Sequence, residues 1–322
     1  MSLAVAGDGR GTVSVCLATY HRNDQLALLL ADLAAQTRPP DEVVVVDNDA
    51  AGSAEATINR CRAVMPFPIQ YEVQPVQNIS RTRNRTVALA RGDWLAIIDD
   101  DERAPPHWLA ELLATTQAAD ADGVLGPVHC IVPAEAPAWI RRGDFYATRH
   151  HPTGQTFPLD RISKGNALLR ASRVKALEGP YDESLGLSGG EDGDLYCRFV
   201  NAGGKLVWCE EALLSEPVEP SRLKARWLLL RALRGGQDYA RHWRSGHYQP
   251  VQMLDVPVFV LRAFAQWLLA LLLGVLLLPL GLHRAMPWLV KAAANIGKLS
   301  AFWGARYGEY AAPPAPLKGG KA

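Results

Sequence analysis

A chain of 322 residues is long enough to bury a full hydrophobic core, as one large domain or as two smaller ones. Its 48% hydrophobic and 21% charged residues exclude a wholly disordered protein, and a formal net charge of +1 argues against a general nucleic-acid-binding protein. The five cysteines lack CxxC spacing, which favours reduced thiols over a disulfide framework or a zinc site. No signal peptide is visible, so we expect the part before residue 250 to be cytoplasmic.

The first half of the chain alternates short apolar runs with amphipathic segments. The predicted elements are a strand at 12–19, a helix capped by Asn23 or Asp24, a strand at 42–47, a helix at 54–64, a strand at 69–73, a helix at 80–90 and a strand ending at Asp99. Apolar runs without polar alternation are typical of parallel strands that are buried on both faces. Repeated strand and helix units therefore predict an open, mainly parallel sheet flanked by helices.

The second half of the chain is less regular. The predicted elements are a strand at 124–132, a strand entering a helix at 162–170, a helix that follows the segment 189–194, and short strands at 206–208 and 212–214. A long loop region with several prolines joins the first two of these elements. Gly165 and Asn166 are suited to a close approach of the backbone to another group.

Polar clusters follow three of the predicted strands, at residues 19–22, 47–49 and 99–102. The carboxyl ends of parallel strands form the edge at which open sheets bind ligands. The cluster at 99–102 consists of four consecutive acids, which repel one another unless a cation lies among them. Hard oxygen ligands suit Mg²⁺ or Mn²⁺, so we expect a metal that carries a phosphate. The alternative is a solvated turn before a helix that begins near Pro105.

The most apolar stretch lies at residues 263–282, and about 20 residues is the length that an α-helix needs to cross a bilayer core. Trp267 and Trp288 suit the membrane interfaces, but basic residues on both sides leave the orientation open. Either Gly274 and Pro279 let the stretch re-enter the membrane, with both ends cytosolic, or it forms a single span with a short external tail.

Two amphipathic segments flank this stretch. The residues beyond Pro287 resemble a helix that lies on a membrane surface. The segment 224–234 is either a second helix of that kind or an ordinary helix that faces the core.

Six motifs occur in an order and spacing that match a known family. They are VCLATYHR at 15–22, EVVVVD at 42–47, RTRN at 81–84, IDDD at 98–101, KGN at 164–166 and GED at 190–192. Together they resemble the inverting family 2 glycosyltransferases, most closely the bacterial membrane-associated members that extend polysaccharides on a lipid carrier. The resemblance covers about residues 11–245 and implies the α/β GT-A fold, a Rossmann-like, mainly parallel mixed sheet flanked by helices. The domains implied are a catalytic domain at 1–245, a linker or interfacial segment at 246–262, a membrane helix at 263–282, and an amphipathic helix with a flexible tail at 283–322.

The resemblance implies a nucleotide-sugar donor, and it assigns the nucleotide pocket to the first two motifs. Thr19, Tyr20 and Arg22 would line the pocket, and Asp47 would hydrogen-bond the base. No nucleic-acid partner is expected.

The family's next two motifs would hold the ribose, the diphosphate and a divalent cation. Asn84, together with Arg81 or Arg83, would approach the ribose or the diphosphate. Asp99 and Asp101 occupy the family's DxD positions. Asp101 would bind Mg²⁺ or Mn²⁺ directly, and Asp99 would bind the ribose or a metal-bound water.

Inversion requires a carboxylate base that takes the proton of the acceptor hydroxyl. The family's base motif matches Asp192, with Glu191 contacting donor or acceptor hydroxyls. The alternative for this pair is an acidic helix N-terminus that the helix dipole stabilises. Many relatives have a His about twenty residues after the base, whereas Glu216 stands near that place, where it would bind the metal or the acceptor.

The function that the resemblance implies is transfer of a sugar to a lipid-linked or other glycan acceptor at the inner membrane. Gly165 and Asn166 are further candidates for the acceptor side. One alternative enzyme transfers a single sugar to polyprenyl phosphate. A polymerising synthase is disfavoured because no QxxRW motif follows the base motif. A different class is an inactive, membrane-tethered binding module.

Overall fold

The computed structural model describes residues 11–156, 159 and 165–308. The strands are β1 (Val13–Thr19), β2 (Glu42–Asp47), β3 (Ile69–Val73), β4 (Trp94–Ile97), β5 (Gly123–Leu125), β6 (Val128–Ile131), β7 (Ala167–Arg170), β8 (Leu206–Trp208) and β9 (Leu214–Pro217). The helices are α1 (Asn23–Ala34), α2 (Glu55–Arg62), α3 (Ile79–Leu89), α4 (Trp108–Ala118), α5 (Ala138–Arg141), α6 (Ala171–Lys175), α7 (Glu191–Asn201), α8 (Ala225–Arg244), α9 (Asp255–Leu277) and α10 (Leu282–Ser300). The motif residue Lys164 lies outside the described residues.

Seven strands form one sheet in the order β3-β2-β1-β4-β7-β5-β8. Only β7 runs antiparallel to its neighbours β4 and β5, and the other neighbouring pairs are parallel. The prediction of a mainly parallel mixed sheet flanked by helices is confirmed. The four valines of β2 are fully buried because helices cover both faces of the sheet, which explains its uninterrupted apolar sequence.

Each face of the sheet carries a hydrophobic core. On one face, α1 contributes four leucines at helical spacing, Leu26, Leu29, Leu30 and Leu33, all fully buried. On the other face, the buried Leu195, Tyr196 and Phe199 of α7 pack against strand residues such as Val44 and Leu169. The two cores fix α1, α3 and α7 around the carboxyl edge of β1, β2 and β4.

A second, two-stranded sheet pairs β6 with β9 in parallel. The predicted strand at 124–132 is therefore two strands, β5 and β6, which belong to different sheets and are separated at Gly126 and Pro127. Backbone hydrogen bonds in both directions between Arg103 and Ser215 tie β9 to the loop after β4. These hydrogen bonds place the neighbouring Glu216 beside the acidic cluster at 99–102.

The three C-terminal helices pack in a layer. Helix α10 runs antiparallel to α9 after a turn at Gly281, where φ is +110°, and it lies between α9 and α8. A Cβ at Gly236 would lie 1.9 Å from the carbonyl oxygen of Ala294, and one at Gly297 would lie 2.0 Å from that of Leu233. These glycines let the backbones of α8 and α10 approach closely. The helix expected beyond Pro287 is present as α10, and its buried residues pack against protein. The expected contact of this helix with a membrane stays a prediction.

Helix α9 presents the largest exposed apolar surface. The apolar helix begins at Asp255, eight residues before the predicted start at 263, so part of the predicted linker is helical. Among the described residues, one stretch, Asp255–Leu280, is long and apolar enough to cross a membrane, and only 17% of its most apolar window is buried. The segment 224–234 belongs to α8, which packs on α10 and buries Leu228, so the core-facing alternative holds there.

Candidate active site

A cavity of about 670 Å³ opens at the carboxyl ends of β1, β2 and β4. Its walls come from the loops after these strands, from α3, from the N-terminus of α7 and from one face of α8. Of the residues that the sequence nominates, the cavity is lined by Thr19, Tyr20, Arg22, Asp99, Asp101, Gly165, Glu191, Asp192 and Glu216.

Arg22 holds the acidic loop after β4 together. Its Nη1 lies 3.0 Å from Oδ1 of Asp100 and 3.1 Å from Oδ2 of Asp101. The hydroxyl of Thr19 donates to Oδ2 of the buried Asp100 at 2.8 Å. The buried Glu102 accepts the backbone N–H of Asp99 at 3.0 Å. Asp100 and Glu102, which had no predicted role, thus shape the loop that presents Asp99 and Asp101.

Asp99 and Asp101 are the two more exposed acids of this loop, which lines the cavity. Asp99 keeps 41% of its side-chain surface exposed, whereas Asp101 is largely buried. Burial and the negative charge of Asp99 raise the pKa of Asp101 to about 7, although Arg22 opposes this. A divalent cation offsets such repulsion, and carboxylate oxygens are the donors that Mg²⁺ and Mn²⁺ prefer. The donor set fits the predicted metal.

Arg83 connects this loop to the opposite wall. The buried guanidinium lies 2.7 Å from Oδ1 of Asp99, 3.3 Å from Oδ1 of Asp192 and 3.6 Å from Oε1 of Glu191. Asn78 caps α3 by accepting the backbone N–H of Arg81, which fixes where the helix begins and hence which side chains face inward. Arg83 is therefore the charged centre between the two carboxylate groups.

The other two candidates of the RTRN motif point elsewhere. Arg81 forms an ion pair at 2.7 Å with Glu183 outside the cavity. The amide of Asn84 makes two hydrogen bonds of 2.8 Å with the backbone of Tyr181. Of the two arginines that the resemblance leaves open, the structure places Arg83 at the cavity, whereas Arg81 and Asn84 hold the segment before α7.

Glu191 and Asp192 begin α7 at the far wall. Gly189 and Gly190 precede them with φ of +80° and +93°, a conformation that glycine adopts without strain, and they turn the chain so that the carboxylates face Arg83. Burial raises the pKa of Asp192 to about 7 against the lowering effect of Arg83. Its Oδ1 is buried without a hydrogen bond to any described residue. A carboxylate with these properties can act as a general base near neutral pH.

Two nominated residues are buried in the framework instead. Asp47 is fully buried, and its carboxylate accepts hydrogen bonds from the backbone of Asp49 and Ala54 and from the hydroxyl of Tyr71. Asp47 therefore shapes the turn before α2 and offers no exposed oxygen to a nucleotide base.

Asn166 is likewise fully buried. Its amide donates to the carbonyls of Pro127 and Ala212 and accepts from the indole N–H of Trp108. It joins three loops below the cavity, and only its neighbour Gly165 reaches the cavity.

Glu216 lies opposite Asp101, where its carboxylate pairs with Arg222. Nη2 of Arg222 also lies 3.7 Å from Oδ2 of Asp101. Sequence reasoning missed Arg222 and the polar face of α8. Spacings of three and four residues align Arg231, Arg234 and Asp238 on that face, and this charge pattern was the available signal.

Comparisons with known proteins identify the family of the chain. The sequence profile of Glycosyl transferase family 2 matches residues 14–176. The chain is 40% identical over 235 residues to the succinoglycan biosynthesis protein ExoM of Rhizobium meliloti, covering 71% of this chain and 74% of that protein. It is 30% identical over 226 residues to the galactofuranosyltransferase GlfT1 of Mycobacterium tuberculosis, covering 66% and 72%.

Among solved structures, a mannosyltransferase from Pyrobaculum calidifontis in complex with GDP-Man and Mn²⁺ superposes with a TM-score of 0.63. The two chains are 19% identical, and the alignment covers 92% of this chain and 88% of that one. This likeness supports the GT-A fold. Since a family profile spans half of the chain and a relative is 40% identical over most of it, the chain belongs to glycosyltransferase family 2 and is a glycosyltransferase.

Proposed function

We propose that this enzyme transfers a sugar, with inversion, from a nucleotide-sugar donor to a hydroxyl of a lipid-linked saccharide during polysaccharide synthesis. The observation that carries the proposal is the pair of carboxylate groups on opposite walls of one cavity, Asp99 with Asp101 and Glu191 with Asp192. A leaving group held at one wall and a base at the other is the arrangement that displacement with inversion requires.

The donor side is the wall formed by Asp99 and Asp101. These residues would hold Mg²⁺ or Mn²⁺, and the mannosyltransferase of similar fold was solved with Mn²⁺ and GDP-Man. When bound, the cation stabilises the negative charge that develops on the departing diphosphate. Arg22 and Arg83 add positive charge beside that position, since both line the cavity.

The acceptor side is the N-terminus of α7. Asp192 takes the proton of the attacking hydroxyl, and a pKa of about 7 leaves it basic enough for this near neutral pH. Arg83 orients the carboxylate from 3.3 Å, and Glu191 shares the same guanidinium. The chain's own residues thus set both the position and the basicity of the base.

The acceptor class is inferred from the relatives and from α9. The relative ExoM is a succinoglycan biosynthesis protein, and GlfT1 is a galactofuranosyltransferase. Because α10 is docked along α8, helix α9 lies beside the catalytic domain with an exposed apolar face, which includes Leu261, Leu268 and Leu272. We infer that this face rests in the cytoplasmic leaflet of the inner membrane, where it brings the cavity to lipid-linked substrates.

The function is tested by offering the purified full-length protein a panel of nucleotide sugars with Mn²⁺ and lipid-linked saccharides. We expect an extended saccharide whose new linkage has the opposite anomeric configuration to the donor, read by mass spectrometry and NMR. A product made on polyprenyl phosphate alone would replace the proposal with the lipid-phosphate alternative. Absence of turnover with every donor would favour the inactive binding module.

The membrane arrangement is tested separately with a C-terminal tag in inverted inner-membrane vesicles. An in-plane α9 leaves the tag on the cytoplasmic side, where added protease removes it. Protection of the tag would instead show a single span with an external tail.

A further inference from the structure

Three metal-ligating side chains meet where the first turn of α7 faces the end of α8, and one of them, His242, also lines the cavity. Asp194 comes from α7, His242 from the end of α8 and His247 from the loop that leads to α9. Oδ1 of Asp194 lies 3.6 Å from Nε2 of His242 and 4.0 Å from Nδ1 of His247, and all three atoms lie within 4.8 Å of one another. Asp194 and His242 are buried, and His247 is partly buried.

These separations are too long for hydrogen bonds, which join heavy atoms at about 2.7–3.2 Å. Two ligands bound at about 2.0–2.1 Å to one tetrahedral Zn²⁺ lie about 3.4 Å apart. The separations of 3.6 Å and 4.0 Å from Oδ1 of Asp194 are therefore close to those of ligands on one ion. A small inward movement of the two imidazoles would complete the arrangement.

The remaining atoms of the cluster already have partners that orient it. Arg198 donates from Nε to Oδ2 of Asp194 at 2.7 Å, which leaves Oδ1 for the two histidines. Nδ1 of His242 lies 3.3 Å from the hydroxyl of Tyr248, which leaves Nε2 facing Asp194. Such outer contacts on the second atom of each ligand are the usual support of a metal site.

The cluster lacks the partners that a purely structural role would require. Nδ1 of His247 is buried without a hydrogen bond to any described residue. An imidazole nitrogen that has no hydrogen-bond partner is available to bind a transition metal through its lone pair.

We propose that Asp194, His242 and His247 bind one Zn²⁺ ion, with a water completing a tetrahedral site. Two imidazoles and one carboxylate suit Zn²⁺ better than the hard cation expected at Asp99 and Asp101. The ion would join the end of α8 and the loop that leads to α9 to α7, whose first turn carries Asp192. Its three ligands are different from the carboxylates expected to hold the cation at the donor site.

The test uses metal-stripped, full-length protein in detergent, titrated with Co²⁺ and then with Zn²⁺. We expect one equivalent of Co²⁺ to give the strong visible bands of a tetrahedral complex, which Zn²⁺ then removes. Zn²⁺ should also raise the Tm, because an ion that binds only the folded state stabilises it. The His242→Gln, His247→Gln double variant should lose both the bands and the Tm increase.

Two control variants separate this site from others. Asp99→Asn with Asp101→Asn should keep the tetrahedral bands, because oxygen ligands at the donor site favour octahedral geometry and weak absorption. His150→Gln removes an exposed histidine elsewhere and should behave as the unaltered protein. The proposal is overturned if the unaltered protein shows no tetrahedral bands, or if the double variant retains them together with the Tm increase.

Discussion

The substitution Asp192→Asn tests the proposed base most directly. Asparagine has nearly the same shape, so the change removes the proton acceptor and leaves the packing of α7 in place. Arg83 retains its contact of 2.7 Å with Asp99, which keeps the buried guanidinium paired. We therefore expect a folded protein whose Tm stays close to that of the unaltered enzyme.

The expected loss is that of general base catalysis, about 10²–10⁴-fold in kcat, or about 3–5 kcal/mol of transition-state stabilisation. Donor affinity should be unchanged, because the donor wall formed by Asp99 and Asp101 is intact. Initial rates at saturating donor and acceptor measure the first quantity, and calorimetric titration with the nucleotide measures the second. Asp120→Asn is the matched control, since it makes the same chemical change at an exposed turn.

A kcat within tenfold of the unaltered enzyme would show that Asp192 is not the base. A parallel loss of donor affinity and kcat would show that the residue binds the donor instead. Either result would leave the family assignment intact and would move the search for the base to Glu191 or Asp238, the other acids of that wall.

Four further predictions follow from the contacts at the site and in the framework. The rate should rise with pH through about 7, because the raised pKa of Asp192 keeps this carboxyl group protonated, and inactive as a base, below that pH. A plot of kcat/KM against pH that shows no such rise would contradict the assignment. Arg83→Lys keeps the charge but cannot span Asp99 and Asp192 together, so kcat should fall at least about tenfold with little change in Tm, measured by rate assay and thermal melting. Asn166→Ala should lower the free energy of unfolding by about 2–4 kcal/mol in a urea titration, because it leaves the buried indole N–H of Trp108 and the carbonyl of Ala212 without these partners at a cost of about 1–3 kcal/mol each, whereas the carbonyl of Pro127 keeps the backbone N–H of Leu214. A loss below about 1 kcal/mol would contradict this. Gly297→Val should undock α10, since its Cβ would lie 2.0 Å from the carbonyl oxygen of Leu233. Protease should then cut the hairpin at concentrations that spare the unaltered protein and a Gly235→Val control, whose Cβ would meet nothing within 4 Å.

The sequence alone predicted the core of the fold, and it nominated the acids that we propose take part in the reaction. Uninterrupted apolar runs such as Glu42–Asp47 indicate parallel strands, because only a strand covered on both faces lacks polar alternation. The four acids at 99–102 and the pair Glu191 and Asp192 are concentrations of negative charge that hydrophobic patterning does not explain, although Asp100 and Glu102 proved to shape the loop. These acids were therefore recognisable from the sequence as candidate site residues before any contact was known.

The tertiary structure decided which members of each motif reach the cavity. Arg81, Arg83 and Asn84 are neighbours in the chain, but the position at which α3 begins turns only Arg83 toward Asp99 and Asp192. Asn166 follows Gly165 of the cavity, yet its hydrogen-bond partners Trp108, Pro127 and Ala212 lie far away in the chain. Asp47 likewise accepts from Tyr71 of the neighbouring strand β3. Local sequence carries no record of those partners.

The arrangement of the C-terminal helices is also not readable from local sequence. Apolarity and length predicted helix α9. Both properties are compatible with a helix that crosses a membrane and with one that lies in the membrane plane. The arrangement depends on close contacts at Gly236 and Gly297, which dock α10 on α8 and return the chain to the catalytic domain. Hydropathy is a property of each segment, whereas such docking depends on two segments that are far apart in sequence, so only the tertiary structure could decide it.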